Sequence, residues 1–267
     1  MSPDLRRRNA RDAVACLVLA CVITWSLDLP YVLACLRHEA PSEGAMALTG
    51  LGAFGPMMGA ALVALRRGEL RRAFRPRVTE GRPSPLLTLG LALLGLAAAP
   101  ALQLLATLLD VALGGSPSPW FFPPSRPEHV VALFVFSIAE ELGWRGFAQP
   151  RLSDHVGPVR AAAIVGPVWG LWHLGMSFTQ AGPPRVQTIA LWMLALGLWS
   201  VIIAWFFERS GRSLAVAMAV HAGAHLDNVS RDDHGSYRLW ALRLLVVLVA
   251  AGIARCALQR RATRTPA

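Results

Sequence analysis

The chain has 267 residues, 54% of them hydrophobic and only 16% charged, with a mean hydropathy of +0.46. Soluble globular domains carry about 25% charged residues, so this composition excludes an ordinary soluble enzyme and points to a protein dissolved in a bilayer. A net charge of +10, carried by 26 basic residues that are all arginine, does not mark a nucleic-acid binder: the arginines fall in short stretches between apolar runs, not on one soluble basic face.

A spanning helix needs about 20 mostly apolar residues. Eight candidate spans follow in chain order, at 13–36, 46–65, 85–113, 129–150, 161–178, 187–207, 213–229 and 238–254. The basic start before the first run is similar to a signal peptide, but the run is long and more spans follow, so a retained first helix is expected. Cys16, Cys21 and Cys35 in that span and Cys256 in the last show neither metal spacing nor a disulfide framework. Pro100 is placed to kink the third span. The segment 66–84 reads as a basic inner loop, and 114–129 as a Pro/Gly-rich outer loop with interfacial aromatics. Asn228 heads a glycosylation pattern at the membrane boundary and is not expected to be used; solvation is the expectation for it and for Asp227. With both termini cytoplasmic, nineteen arginines fall inside and five outside, while Arg145 and Arg243 lie within spans. That asymmetry is the one the positive-inside rule requires. The expectation is an all-α, polytopic integral membrane protein of about eight transmembrane helices. Its lysine-free, arginine-rich composition indicates a GC-rich bacterial genome and hence a bacterial inner (cell) membrane.

Charge inside those spans is costly, at roughly 2.5–3.5 kcal/mol per residue at mid-bilayer on insertion scales. Glu140, Glu141 and Arg145, in "SIAEELGWRGFAQPRL" (137–152), all lie on the fourth span. Residues four apart share a helix face, so Glu141 and Arg145 are predicted to pair, whereas Glu140 points about 100° away from them. The pair reads first as structural, and Glu140 as the carboxylate available for proton transfer. His173 lies in the fifth span, and His221 and His225, four apart, in the seventh. By the ~1.5 Å rise per residue from the nearest inner arginine, Glu140 and the three histidines sit roughly 14–20 Å deep in a ~30 Å core. Their common depth predicts one buried polar cavity open to water. The bland alternatives are a satisfied core histidine at 173 and a simple hydrogen-bonded bridge between helices at 221 and 225.

"EELGWR" fits the E-E-x-x-x-R motif of the CPBP group, which comprises type II CAAX prenyl proteases and Abi-like bacterial relatives. "RGFAQPRL" resembles its usual continuation, and "WGLWH" is similar to the aromatic-x-x-x-His motif, with Trp169 in the aromatic place. "FFERSGRSLAVAMAVHAGAH" resembles the third block, which ends H-x-x-x-N; His225 stands here in place of the Asn. Three motifs in order on three spans cover roughly residues 130–229.

The resemblance implies an intramembrane endopeptidase. In it Glu140 activates a water with help from His173, His221 and residue 225 stabilise the oxyanion or bind metal, and Glu141 with Arg145 organises the site. An imidazole at 225 serves either role, so Glu140, His173, His221 and His225 are also a candidate Zn²⁺ set by ligand type. The chain is accordingly divided into 1–129 (three N-terminal spans with the two loops), 130–229 (the CPBP-like core) and 230–267 (the last helix and an arginine-rich cytoplasmic tail). The expected partners are the lipid bilayer and a membrane-associated peptide or protein substrate. Two rival readings stay open. One is an inactive membrane partner of immunity or scaffold type with the same fold. The other is a proton-coupled carrier, which calls for related halves or matched broken helices that the sequence does not display.

Overall fold

The computed structural model describes residues 2–73, 83–121, 123–226 and 237–262. The inner-loop stretch 74–82, Asp227, Asn228 and the tail beyond 262 lie outside the described residues. The described chain is helical throughout: α1 (Pro3–Leu36), α2 (Glu43–Gly52), α3 (Gly55–Arg66), α4 (Leu70–Ala73), α5 (Pro85–Ala112), α6 (Pro127–Gly143), α7 (Gln149–Val156), α8 (Pro158–Trp172), α9 (Val186–Arg209), α10 (Leu214–Ala224) and α11 (Tyr237–Ala262). A π-turn, Trp144–Ala148, joins α6 to α7, and a 3₁₀ turn, Gly175–Ser177, follows α8.

Local chemistry sets the helix starts. Ser2, Ser42 and Ser84 each accept a hydrogen bond from the backbone N–H three residues on, and proline follows the cap in α1 and α5. There its missing N–H costs nothing. Among the described residues, four helices, α1, α5, α9 and α11, are long and apolar enough to cross a bilayer, or five if the α2–α3 pair, bent by 54°, counts as one span. The other candidate spans correspond to shorter or interrupted helices. The protein is an all-α polytopic membrane protein. Pro100 lies inside α5, which runs unbroken past it.

The interruption of the fourth candidate span has a local cause. Pro150 has no N–H to return to the carbonyl four residues earlier, and its ring crowds that carbonyl. The Gln149 N–H reaches back five residues to Trp144 O, so the turn widens just before the proline. Trp144, Arg145, Phe147 and Ala148 are buried on it. Single π-turns of this kind recur at functional sites.

The chain divides into two compact units, with the divisions falling inside α6 and α9. In the first (1–76 and 138–200), α1 turns Val14, Val18 and Val22 outward and buries Ala13, Cys16, Ala20 and Thr24. The outward set is exposed apolar surface in water and a lipid-facing stripe in a bilayer. Gly55 and Gly59 of α3 lie directly on the α1 backbone at Ala20 and Cys16, where any Cβ would collide. Gly166 and Gly170 of α8 do the same against Gly197 and Met193 of α9. Lipid is as apolar as leucine, so helices associate here through close small-residue packing.

In the second unit (77–137 and 201–267), α5 is the hub on which α10 and α11 pack. Ala106, Leu239 and Val246 form a buried cluster flanked by Leu102 and Leu242. Asp110, given no role by the sequence, is 3% exposed and accepts a hydrogen bond from Arg238 Nε at 2.5 Å. This ion pair ties the end of α5 to the start of α11.

Candidate active site

In the first unit the acidic motif ends α6. Arg145 Nη1 lies 2.7 Å from Glu141 Oε1, and both side chains have zero exposure. Arg145 also donates from Nη2 to Ser200 Oγ at 3.3 Å and sets its guanidinium 5.0 Å from the Trp169 ring centroid. A carboxylate, a hydroxyl and a π face thus surround a cation that has no access to water.

Glu140, 4% exposed, faces the same tryptophan from another side. The indole Nε1–H of Trp169 donates to Glu140 Oε2 at 2.7 Å. One turn on, His173 caps the C-terminus of α8, and its Nδ1 lies 2.8 Å from Trp169 O. A carbonyl oxygen only accepts, so Nδ1 carries the proton and Nε2 is the nitrogen that takes up and releases one. The imidazole sits among the rings of Trp172 (4.7 Å between centroids), Trp192 (5.3 Å) and Trp169 (6.0 Å). Trp169 therefore links Glu140 and His173 through its two polar ends. The sequence shows it only as the aromatic of a motif. The i, i+4 spacing of Trp169 and His173 contains the His–carbonyl bond, but nothing in the sequence announces the indole–carboxylate bond.

In the second unit, His221 lies on α10 and is 2% exposed, while His225 caps that helix. The two rings stack with centroids 5.2 Å apart and an interplanar angle of 17°. Gly223, between them, rests on the α5 backbone at Leu96 O, where no Cβ fits. Each histidine is two residues away, about 200° around the helix, so the contact with α5 turns both imidazoles to the opposite face. Among the described residues, no three His, Cys, Asp or Glu side chains are gathered to hold a metal ion. The ligand types of Glu140, His173, His221 and His225 suit Zn²⁺; the first two belong to the first unit and the other two to the second. Glu140 and His173 are oriented by Trp169, and the chemistry open to them is proton transfer.

Residues 123–226 match the family described as type II CAAX prenyl endopeptidase Rce1-like. A curated relative, CAAX prenyl protease 2 of Methanococcus maripaludis, is 27% identical over 168 residues. That alignment covers 58% of this chain and 61% of the relative, so less than two thirds of the relative's length is spanned.

Proposed function

We propose that this chain, which belongs to the CPBP/CAAX protease family, is an intramembrane endopeptidase that hydrolyses a peptide bond of a membrane-associated protein. Glu140 acts as the base that activates water, and His173 relays the proton. One observation carries this reading: Trp169 donates its indole N–H to Glu140 and accepts the Nδ1–H of His173, fixing a carboxylate and an imidazole on one residue. Amide hydrolysis needs a base to deprotonate water and an acid to protonate the leaving nitrogen. The carboxylate takes the proton from water, and the imidazole, its Nδ1–H held by Trp169 O, receives that proton at Nε2 and passes it to the leaving nitrogen. By the family resemblance, His221 and His225 stabilise the oxyanion, a task that imidazole N–H groups perform as an amide does. Glu141 and Arg145 keep the wall of the site in shape.

The test compares membrane peptides from cells carrying the active chain with those from cells carrying Glu140→Ala. The substrate is expected to accumulate uncut, and its product to vanish, in the variant. Identical peptide populations would remove the reading.

A second substitution probes the tryptophan. Trp169→Phe keeps the ring over Arg145 and the carbonyl for His173 but deletes the indole N–H. A hydrogen bond to a charged group is worth about 1.5–3 kcal/mol, so turnover is expected to fall about 10–100-fold. Turnover per amount of folded, inserted protein is the measurement. An unchanged rate would mean that the indole bond does not orient the base.

A further inference from the structure

Helix α1 lies outside the matched segment, yet it fastens the stretch that carries His173. Trp25 Nε1 donates to Trp172 O at 3.3 Å. The indole N–H of Trp172 donates to Thr24 Oγ1 at 2.6 Å, and that hydroxyl donates to Gly52 O at 2.7 Å. Farther along α1, Tyr31 OH donates to Phe178 O at 3.0 Å, and His38, in the turn after the helix, donates from Nδ1–H to Gln180 O at 2.7 Å. Side chains of α1 and of the turn that follows it thus grip residues 172, 178 and 180 in order.

Between Thr24 and Tyr31 the contact changes in kind. Asp28 has zero exposure, and neither carboxylate oxygen meets a hydrogen-bond partner. The Thr49 hydroxyl approaches it without reaching bonding geometry. The carboxyl instead fills the space that a Cβ on Gly175 would occupy, and a Cβ on Gly52 would lie 3.2 Å from its Oδ1. Burying such a group unpaired inside a membrane helix costs stability. A merely packed position would be better served by an apolar side chain.

We propose that Asp28 is a positioning residue of the site: its carboxyl seats Gly175, and this seat sets the pose of His173 two residues earlier. The inference rests on His173 acting in proton transfer with Glu140. The seat is a matter of shape. Gly175 must lack a Cβ because the Asp28 carboxyl and Cβ stand there, and the turn after α8 is held between that side chain and the hydrogen bonds of Thr24, Trp25, Tyr31 and His38.

The experiment compares Asp28→Ala, Gly175→Ala and Asp28→Asn in the full chain. The first readout is the histidine ring signal in NMR of histidine-labelled protein, with His173 assigned by the signal lost in His173→Gln. The second is turnover of the peptide that accumulates most in Glu140→Ala membranes. Each alanine variant is expected to shift the His173 signal and slow turnover about tenfold or more with KM little changed. Asp28→Asn keeps the shape and is expected to stay within about threefold of wild type. Asp28→Ala, relieved of an unpaired buried carboxyl, is expected to unfold no earlier than wild type although it is slower.

An unmoved His173 signal in both alanine variants overturns the proposal. So does an asparagine variant as impaired as the alanine. If Gly175→Ala fails to insert, the alanine–asparagine contrast at position 28 decides alone. If wild type cleaves nothing, the protease reading falls, while the NMR arm still decides whether the seat sets the pose of His173.

Discussion

Glu140→Gln is expected to lower cleavage about 10²–10⁴-fold, the span that a positioned general base contributes, while leaving insertion and thermal unfolding unchanged. The choice of glutamine follows from the geometry. Glu140 Oε2 accepts the indole N–H of Trp169 at 2.7 Å in a site only 4% exposed. A glutamine carbonyl oxygen accepts the same bond, so Trp169 stays satisfied, but the amide does not take a proton from water. Alanine at the same position deletes the acceptor as well and strands a buried N–H, at about 1–3 kcal/mol. Glutamine therefore isolates chemistry, and alanine mixes chemistry with stability. The two are compared by rate per folded molecule and by unfolding temperature. A glutamine variant that cleaves like wild type would show that Glu140 is not the base, whereas a wild type that cleaves nothing would favour the reading as an inactive partner. A glutamine variant as unstable as the alanine variant would show that the indole needs the carboxylate charge.

Much of this arrangement was legible because it is local. The apolar runs predict the helices of the described chain, since bilayer thickness fixes how much apolar sequence a span needs. The four-residue spacing of Glu141 and Arg145 predicts their contact, and the pair survives the π-turn that begins at Trp144. The turn itself was not legible. Pro150 warns of trouble in a helix, but whether the chain breaks, kinks or widens depends on what packs around it. The bend between α2 and α3, by contrast, is marked by Pro56 at the start of α3, where its missing N–H suits a helix start and not a helix interior.

Least visible were the long-range side-chain bonds. Trp169 to Glu140 spans 29 residues, and Thr24 to Trp172 spans 148. A depth estimate from the rise per residue places a group along the membrane normal and says nothing of the direction in which it points. It therefore gives Glu140 and His173 a shared level without showing that one tryptophan joins them. Asp28 and Asp110 illustrate the same limit. Both lie near span ends in the sequence and both are buried in the structure, yet one meets Arg238 while the other lies against a glycine.

Arg145→Ala and Glu141→Ala are each expected to cost about 3–5 kcal/mol, the usual penalty for breaking a buried pair and leaving one charge behind. Native domains hold about 5–15 kcal/mol in total, so either variant should fall sharply in folded yield as well as in turnover. The geometry ranks the two. Glu141→Ala leaves a guanidinium with zero exposure, held only by Ser200 and the Trp169 face, neither of which neutralises it. Arg145→Ala leaves a carboxylate with zero exposure. A guanidinium cannot shed its charge in a protein, so Glu141→Ala should be the less stable. Removing both charges with apolar residues of similar volume should restore yield, since buried pairs exchange for well-packed apolar groups at little cost. Turnover should stay low in that double variant, because the Trp169 ring has lost the cation stacked on it. Yield by fluorescence-detected gel filtration and turnover per folded molecule separate these outcomes. Single variants that express like wild type would show that the pair is solvated, and the division between a structural Glu141 and a chemical Glu140 would go with it.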